Sequence, residues 1–440
     1  MIRLNIVRFD LLQVSFNCAA QSTMNCYFCI MKKIKHLAVF TSDISMDATL
    51  IQNLLKDFEG EKATIFSNYT LEQFIKEEAI HDDYSLSKTQ HRSIRTFSSG
   101  EQRKAMLEFL ISTKPDYLLL ENAFDMLDNT SQLKLLEKLT ELSLKIPIVQ
   151  IVKRKDNLLP FIKNAIQIHN HKVCFSGTIE EYFDNYKTDI SFTLNGNLPL
   201  CLHEIKEIKD PLVEFNKVSV SYGEKNILNH ISWTINNGDF WQLTGPNGSG
   251  KTTLLTMITG DNPKAYGQNL TLFGKKRGSG ESIWNIKKNI GYVTPSMTTL
   301  FRGWNSVEKM VVSGLVDSIG LYQKPTEMQK RLAGEWIKLI GLEDLKYTRF
   351  CTLSEGQQCL VLIARAMIKH PPLLILDEPA HGLDDYNSTI LTALINKIAN
   401  EGQTTILYVS HRKEPGLKPE KIYELLANES GSIGRIKQSE

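Results

Sequence analysis

Apolar residues in this chain gather in short runs, and each run stops at a polar or glycine-rich break. Phe240-Trp241-Gln242-Leu243-Thr244 stops at Gly245, Leu373-Leu374-Ile375-Leu376 at Asp377, and Thr405-Ile406-Leu407-Tyr408-Val409 at Ser410-His411. Such runs predict buried strands of a parallel sheet covered on both faces. Asp116-Tyr117-Leu118-Leu119-Leu120 is another, and Leu212-Val213-Glu214-Phe215 begins a further strand. After Gly250, Thr253-Leu254-Leu255 continues a helix, so strand, tight loop and helix follow in the order of an α/β fold. No apolar run approaches the length that crosses a membrane, and any channel must sit on another polypeptide.

The break after Thr244 reads Gly245-Pro246-Asn247-Gly248-Ser249-Gly250-Lys251-Thr252-Thr253, a complete P-loop. Its backbone N–H groups must close around phosphate oxygens, and a Cβ on the glycines would block that approach. Lys251 supplies a cation for the β- and γ-phosphates, and Thr252 offers a hydroxyl to Mg2+. The helix that starts here points its positive end at the anion. At the tip of the Leu373 run, Asp377 can hold Mg2+, and Glu378 is the natural general base for the attacking water. Either carboxylate alone could be a solvated loop end; a P-loop upstream favours the chemical reading.

Leu353-Ser354-Glu355-Gly356-Gln357-Gln358 lies between these motifs, and His411 follows them. The four together, in this order, resemble the ATP-binding cassette (ABC) ATPases. The resemblance implies ATP as the nucleotide and domains paired head to tail, with each ATP between one P-loop and the other domain's signature. It further implies that His411 is the switch histidine that contacts the γ-phosphate. Tyr222, in Val220-Ser221-Tyr222-Gly223, matches the aromatic on which adenine stacks. One family residue is missing: after Ile290-Gly291-Tyr292-Val293, Pro295 takes the place of a glutamine that touches the metal and relays to a membrane partner. Proline has no side-chain donor or acceptor, which counts against coupling to a channel by that route. Residues 212 to 415 carry the closest likeness. Thr259-Gly260-Asp261-Asn262-Pro263 and Ile283-Trp284-Asn285-Ile286-Lys287-Lys288 narrow it to tandem bacterial members associated with molybdenum transport genes.

A second signature stands upstream, Phe97-Ser98-Ser99-Gly100-Glu101-Gln102. Gly100 and Gly356, Glu121 and Asp377, and Asp128 and Asp384 are each 256 positions apart, so the chain contains an internal repeat. The chemistry has not been kept in the first copy. Glu121 replaces the metal-side aspartate, Lys153 replaces the histidine, and Asn122, an amide that cannot accept a proton, replaces the base. The first glycine is Gly60, so residues 1 to 59 cannot build a phosphate cradle. Either the helical insert is shorter in this half or its beginning is absent. The first signature is intact, and by the family's packing Ser98, Gly100, Gln102 and the N–H groups beside them would face the phosphate held at Lys251. The second signature carries Glu355 where a glycine is usual; opposite a half without a P-loop, that anion would repel phosphate. Both defects fall on one composite site, which argues for one working site per chain. Asn122 and Lys153 are expected to matter little for turnover.

The expected organisation is an extension over residues 1–35, a degenerate domain over 36–190, a linker over 191–211 and a complete ATPase domain over 212–440. The fold class is α/β, two tandem P-loop ABC nucleotide-binding domains packed head to tail, the first incomplete. With 440 residues, 42% hydrophobic and 23% charged, the composition is that of an ordinary soluble protein. A net charge of +2 selects no partner class, and there is no nucleic-acid signature. Lys275-Lys276-Arg277 reads as a solvated loop. Seven cysteines, an odd number, suit a reducing compartment, and Cys26-Tyr27-Phe28-Cys29 is a lone pair without further ligands.

The resulting expectation is a cytoplasmic Mg2+-ATPase, or one held at the inner face of the cell membrane. It would be the ATP-binding component of a transport system, molybdate-related by its resemblance, with a separate membrane permease as partner. The alternative is a soluble ATP-driven switch acting on nucleic acid, ribosomes or a cytosolic partner.

Overall fold

The computed structural model describes residues 36–41, 63–81, 93–97, 99–124, 127, 129–169, 172–185, 194, 196–201, 208–301, 305–318, 321, 323–412 and 414–438. The extension expected over residues 1–35, with Cys26 and Cys29, lies outside them, as does Ser98. The first half contains β1 (His36–Thr41), β2 (Ala63–Phe66), α1 (Asn68–His81), α2 (Ser99–Ser112), β3 (Tyr117–Glu121), α3 (Asn129–Ser143), β4 (Ile148–Val152), β5 (Asn164–His169), β6 (Lys172–Thr178) and α4 (Ile179–Asn185). Its strands form one sheet in the order β2-β3-β4-β1-β5-β6, parallel except between β5 and β6.

The second half opens with β7 (Val213–Tyr222), β8 (Lys225–Ile235), β9 (Phe240–Thr244), α5 (Lys251–Ile258), β10 (Leu270–Leu272) and β11 (Lys275–Lys276). Next come α6 (Ile283–Lys288), β12 (Ile290–Val293), α7 (Met297–Leu300), α8 (Val307–Ser313), α9 (Glu327–Leu339) and α10 (Glu355–Met367). It ends with β13 (Leu373–Asp377), α11 (Asp385–Glu401), β14 (Thr405–Val409), β15 (Lys421–Leu426) and β16 (Ile433–Gln438). An antiparallel sheet runs β11-β10-β7-β8, and the main sheet runs β12-β13-β14-β9-β15-β16.

The central strands are apolar along their length because both faces are covered. Leu374, Leu376, Ile406 and Tyr408 enter a core shared with α8, α9 and α10. Their neighbours Leu373, Ile375, Leu407 and Val409 enter a second core with α5 and the antiparallel sheet. Alternate residues thus stabilise opposite layers, each buried leucine contributing about 1.5–3 kcal/mol. The helix α10 starts with a capping box, in which Ser354 accepts from the Gln357 N–H and the Gln357 side chain accepts from the Ser354 N–H.

The repeat extends to backbone detail. Each strand of the first sheet has a counterpart at the same place in the main sheet of the second half. Asn122 and Glu378, one residue past β3 and β13, both adopt left-handed backbone, with φ of 48° and 49°. Gln102 donates to the Ile94 carbonyl at 2.9 Å, as Gln358 does to that of Phe350 at 3.2 Å. Glu121 pairs with Ile151 as Asp377 pairs with Val409, so Lys153 and His411 occupy equivalent positions two residues on. In the first half, β1 holds the place of the P-loop strand β9, but the chain after it has no glycine before Gly60. Among the described residues α1 alone lies between β2 and α2 as an α-helix, where α7, α8 and α9 lie between β12 and α10. The stretch from β2 to α2 is shorter than its counterpart from β12 to α10, and so is the stretch from β1 to β2 against that from β9 to β12.

The halves meet along a polar seam. Arg154 donates two hydrogen bonds to Glu414, at 2.5 and 3.2 Å, and one to Ser388 at 2.9 Å. Arg154 is 6% exposed and Glu414 4%. Burial would pull the guanidinium pKa down, but the Glu414 carboxylate, with Asp385, outweighs it and raises the value. Nearby, the Lys155 N–H donates to Asp385 at 3.0 Å, and Lys153 donates to Glu355 at 3.0 Å. The segment before β7 also packs on the second half, with Leu194 and Leu198 against its core. Removing one partner of a buried pair strands the other charge. Arg154→Ala is therefore expected to cost about 3–5 kcal/mol in chemical denaturation, whereas Arg154→Met with Glu414→Leu restores most of that loss.

Candidate active site

The strand order decides which motifs meet. In the order β13-β14-β9 the carboxyl ends of three adjacent parallel strands lie side by side. They carry Asp377 and Glu378, His411, and the P-loop, the crevice where open α/β sheets bind ligands. The loop glycines are needed for two separate reasons. Gly245, Gly248 and Gly250 all have positive φ, and Gly250, at 94°, caps α5 in the left-handed region. A Cβ on Gly245 would lie 2.8 Å from the Leu425 carbonyl oxygen, and one on Gly250 would lie 2.7 Å from Leu228.

Within the loop, Lys251 folds back and donates to the carbonyls of Gly245 at 2.7 Å and Pro246 at 3.1 Å. The Ser249 side chain is buried, and its hydroxyl has no hydrogen-bond partner. Asn247, Gly248 and Thr252 are exposed, while Pro246 and Thr253 are half-buried. Tyr222 ends β7 with 46% of its surface exposed, and its hydroxyl accepts a 2.9 Å hydrogen bond from the buried Asn262. A half-exposed ring held by its hydroxyl, with Lys264 Nζ 5.9 Å from its centroid, suits stacking with a base.

The two acidic residues differ in surroundings. Asp377 is pushed up to about 6 by burial and by the neighbouring Glu378 charge, against the opposing effects of Tyr292 and Lys251. The Tyr292 hydroxyl donates to it at 3.3 Å. A buried carboxylate beside another carboxylate is the environment a divalent cation relieves, and a Thr252 hydroxyl with an Asp377 oxygen is the hard donor set of Mg2+. The Glu378 carboxylate accepts from the His411 backbone N–H at 3.1 Å and lies 2.9 Å from His411 Nδ1. On the other side of the ring, Arg412 Nε donates to His411 Nε2 at 3.3 Å. A cavity of about 20 Å3, room for about one water, lies between the halves, lined by Glu378, His411 and Arg412 and by Asn122, Lys153 and Asn157.

Residues 228–381, which hold the P-loop, the second signature, Asp377 and Glu378, match the ABC transporter family model. ModF of Escherichia coli, an ABC transporter ATP-binding protein, is 39% identical over 334 residues, spanning 73% of this chain and 68% of its own. The chain belongs to the ABC transporter ATP-binding proteins. ATP binding and hydrolysis are the activity of this ABC ATPase. An uncharacterized ABC transporter ATP-binding protein of Schizosaccharomyces pombe, C323.04, is 29% identical, covering 84% of this chain and 75% of the relative. Among solved structures, a model of ribosome-bound archaeal Pelota and ABCE1 has TM-score 0.59 and 14% identity, covering 92% of this chain and 75% of that one. That likeness bears on the tandem fold alone. No helix among the described residues is long and apolar enough to cross a membrane.

Several residues differ from their sequence reading. Arg277 is not solvated: it is 3% exposed, paired with Glu281 at 2.7 Å and bonded to the Gly260 carbonyl at 3.0 Å. A carboxylate four residues on, itself driven down to about 2 despite burial by the Gly278 N–H and Arg277, compensates the buried charge. Gly100 lies in α2, and the Gln102 amide is bonded inside its own half to Ile94. Asn262, Tyr292 and Arg412 escaped the sequence reading as site residues; only the position of Arg412 directly after His411 could have pointed to it. Pro295 stands ahead of α7, and its carbonyl accepts from the Thr298 hydroxyl at 2.8 Å.

A carboxyl whose folded pKa is raised favours folding while protonated, and that contribution is lost as pH rises through the folded value. For Asp377 the window runs from 3.8 to about 6. Nucleotide-free Asp377→Asn is expected to melt higher than the parent above pH 6 and alike near pH 4, measured by calorimetry across that range.

Proposed function

We propose that this ABC ATPase works through one Mg2+-dependent composite site per chain and energises a separate membrane permease. The observation that supports this best is the fate of the other site. Its second-half signature carries Glu355, which forms an ion pair with Lys153, the residue at the histidine's place, at 3.0 Å. Lys153 also donates to the Gly382 carbonyl at 3.4 Å. Protein charges thus neutralise each other where a phosphate and its contacts would otherwise sit. The second half by contrast keeps Lys251, Asp377, Glu378 and His411, and the first signature keeps the sequence Ser98-Ser99-Gly100.

In this reading the P-loop from Gly245 to Thr253 wraps the phosphates, with Lys251 against the β- and γ-groups. Tyr222 stacks on the adenine. Mg2+, when bound to Thr252 and Asp377, supplies charge neutralisation at the transferring phosphate. Glu378 orients and deprotonates the water, and His411 contacts the γ-phosphate. Ser98 and Gly100 complete the site from the first half, and Gln102 supports them by its bond to Ile94.

ModF of Escherichia coli is an ABC transporter ATP-binding protein, which supports the permease reading; molybdate as cargo rests on the sequence resemblance of residues 259–288 alone. One specific feature favours a soluble switch instead: Pro295 has no side chain that could relay to a channel. A pull-down of trapped Glu378→Gln with ATP separates the two. A recovered permease supports transport, and recovered ribosomes or a soluble enzyme overturn it. For the chemistry, Lys251→Ala is expected to abolish turnover. Glu378→Gln should keep nucleotide binding and lose about 10²–10⁴-fold in hydrolysis. Replacing Ser98 and Gly100 should slow hydrolysis with little loss of binding, measured by phosphate release and nucleotide titration; unchanged turnover excludes the shared site.

A further inference from the structure

Tyr222 is the last residue of β7 and pairs across a tight turn with Lys225, so its half-exposed ring sits at the end of the antiparallel sheet. Backbone pairing at such a place leaves the side-chain torsions to be set by other contacts. Here the ring is held at its tip, because the Tyr222 hydroxyl accepts from Asn262 Nδ2 at 2.9 Å. Asn262 comes from the loop after α5 and is 5% exposed.

The buried amide is satisfied at both ends. Its Oδ1 accepts from the Lys264 N–H at 3.0 Å, and a backbone N–H can only donate, so the oxygen must face that way. The two protons on Nδ2 then go to Tyr222 and to the Thr256 hydroxyl, the latter at 3.1 Å. A further link comes from the Asn262 N–H, which donates to the Thr256 carbonyl at 3.0 Å. Thr256 belongs to α5, and its hydroxyl donates to the Thr252 carbonyl at 2.8 Å, one turn nearer the P-loop. Asn262 also caps the short turn Pro263–Ala265, in which the proline ring fixes the backbone. That turn carries Lys264, whose Nζ is 5.9 Å from the centroid of the Tyr222 ring. A continuous run of hydrogen bonds therefore joins the ring to the helix that begins at the phosphate loop. A buried amide with its hydrogen bonds made has one orientation, so the run is stiff.

We propose that Asn262 is a positioning residue for the nucleobase, holding the Tyr222 ring at a fixed spacing from the phosphate loop by way of Thr256. This rests on the stacking role assigned above to Tyr222. Base and phosphates belong to one molecule, so a ring already set at the right spacing loses less freedom when the nucleotide binds. Inorganic pyrophosphate fills the P-loop and never meets the ring. The anchor at Asn262 thus strengthens the binding of ADP relative to pyrophosphate.

The test is calorimetric titration of the full chain with ADP, which is not hydrolysed, and separately with inorganic pyrophosphate, each with Mg2+. The quantity read is the ratio of the two affinities. Tyr222→Phe, which keeps the ring and loses its anchor, is expected to lower that ratio about threefold. Asn262→Ala should lower it as far, and the double variant should fall no further than Asn262→Ala alone. A ratio for Tyr222→Phe within about 1.5-fold of the parent, losses that multiply in the double variant, or equal weakening of both ligands overturns the proposal. Tyr222→Phe decides the matter if Asn262→Ala does not fold. Tyr222→Ala runs alongside, with the ratio expected to fall about tenfold. A parental ratio there refutes the stacking role itself, whereas a loss there with none in Tyr222→Phe refutes only the part played by Asn262.

Discussion

A buried charge is costly unless it is compensated, and Arg154 finds its counter-charge in the other half of the chain. The Arg154–Glu414 pair, with Ser388 beside it, welds the two halves at a point where both charges are shielded from water. The other contacts shared between the halves gather around that weld. Lys153 meets Glu355, Lys155 meets Asp385 and Arg412 meets Asn157, and Arg154 and Glu414 themselves line the small cavity beside Glu378. The pair joins residues 260 positions apart, so it is a contact between the two halves and not within either.

The repeat shows how a fold outlasts its chemistry. The first half keeps strand order, left-handed backbone at Asn122 and the Gln102–Ile94 bond, all of them requirements of packing. The residues that touched nucleotide answer to no packing rule, and they have changed. Lys153 in the histidine's place and Glu355 in the glycine's are each unsuited to a phosphate site, yet together they satisfy one another. Glu355 remains about half exposed, so this pair adds little stability and its effect is to fill a site.

Equivalent arginines of the repeat reach across the seam to different acceptors. Arg154 meets the Glu414 carboxylate, and Arg412 donates to the Asn157 side chain and the Phe124 carbonyl. Arg412 also contacts His411, which lies against Glu378.

Much of this was legible in the residues themselves. The P-loop glycines, the apolar runs ending in Asp377 and His411, and the 256-residue repeat are local or periodic features, dictated by backbone sterics and strand burial. They determined the fold class, a nucleoside triphosphate site and the loss of a general base at Asn122; ATP itself came from the family resemblance. Other features depended on distance, which a linear pattern does not carry. Arg277 read as a solvated loop residue because its basic neighbours are exposed; only the fold placed it against Gly260 and Tyr266. Asn262 was visible as part of a motif, but its bond to Tyr222 joins residues 40 apart. Lys153 read as inert and Glu355 as a repulsive anion until the halves were set face to face. Charge type is written in the sequence, whereas which charge meets which is decided by packing, because Coulomb and hydrogen-bond energies depend on separations of a few ångströms.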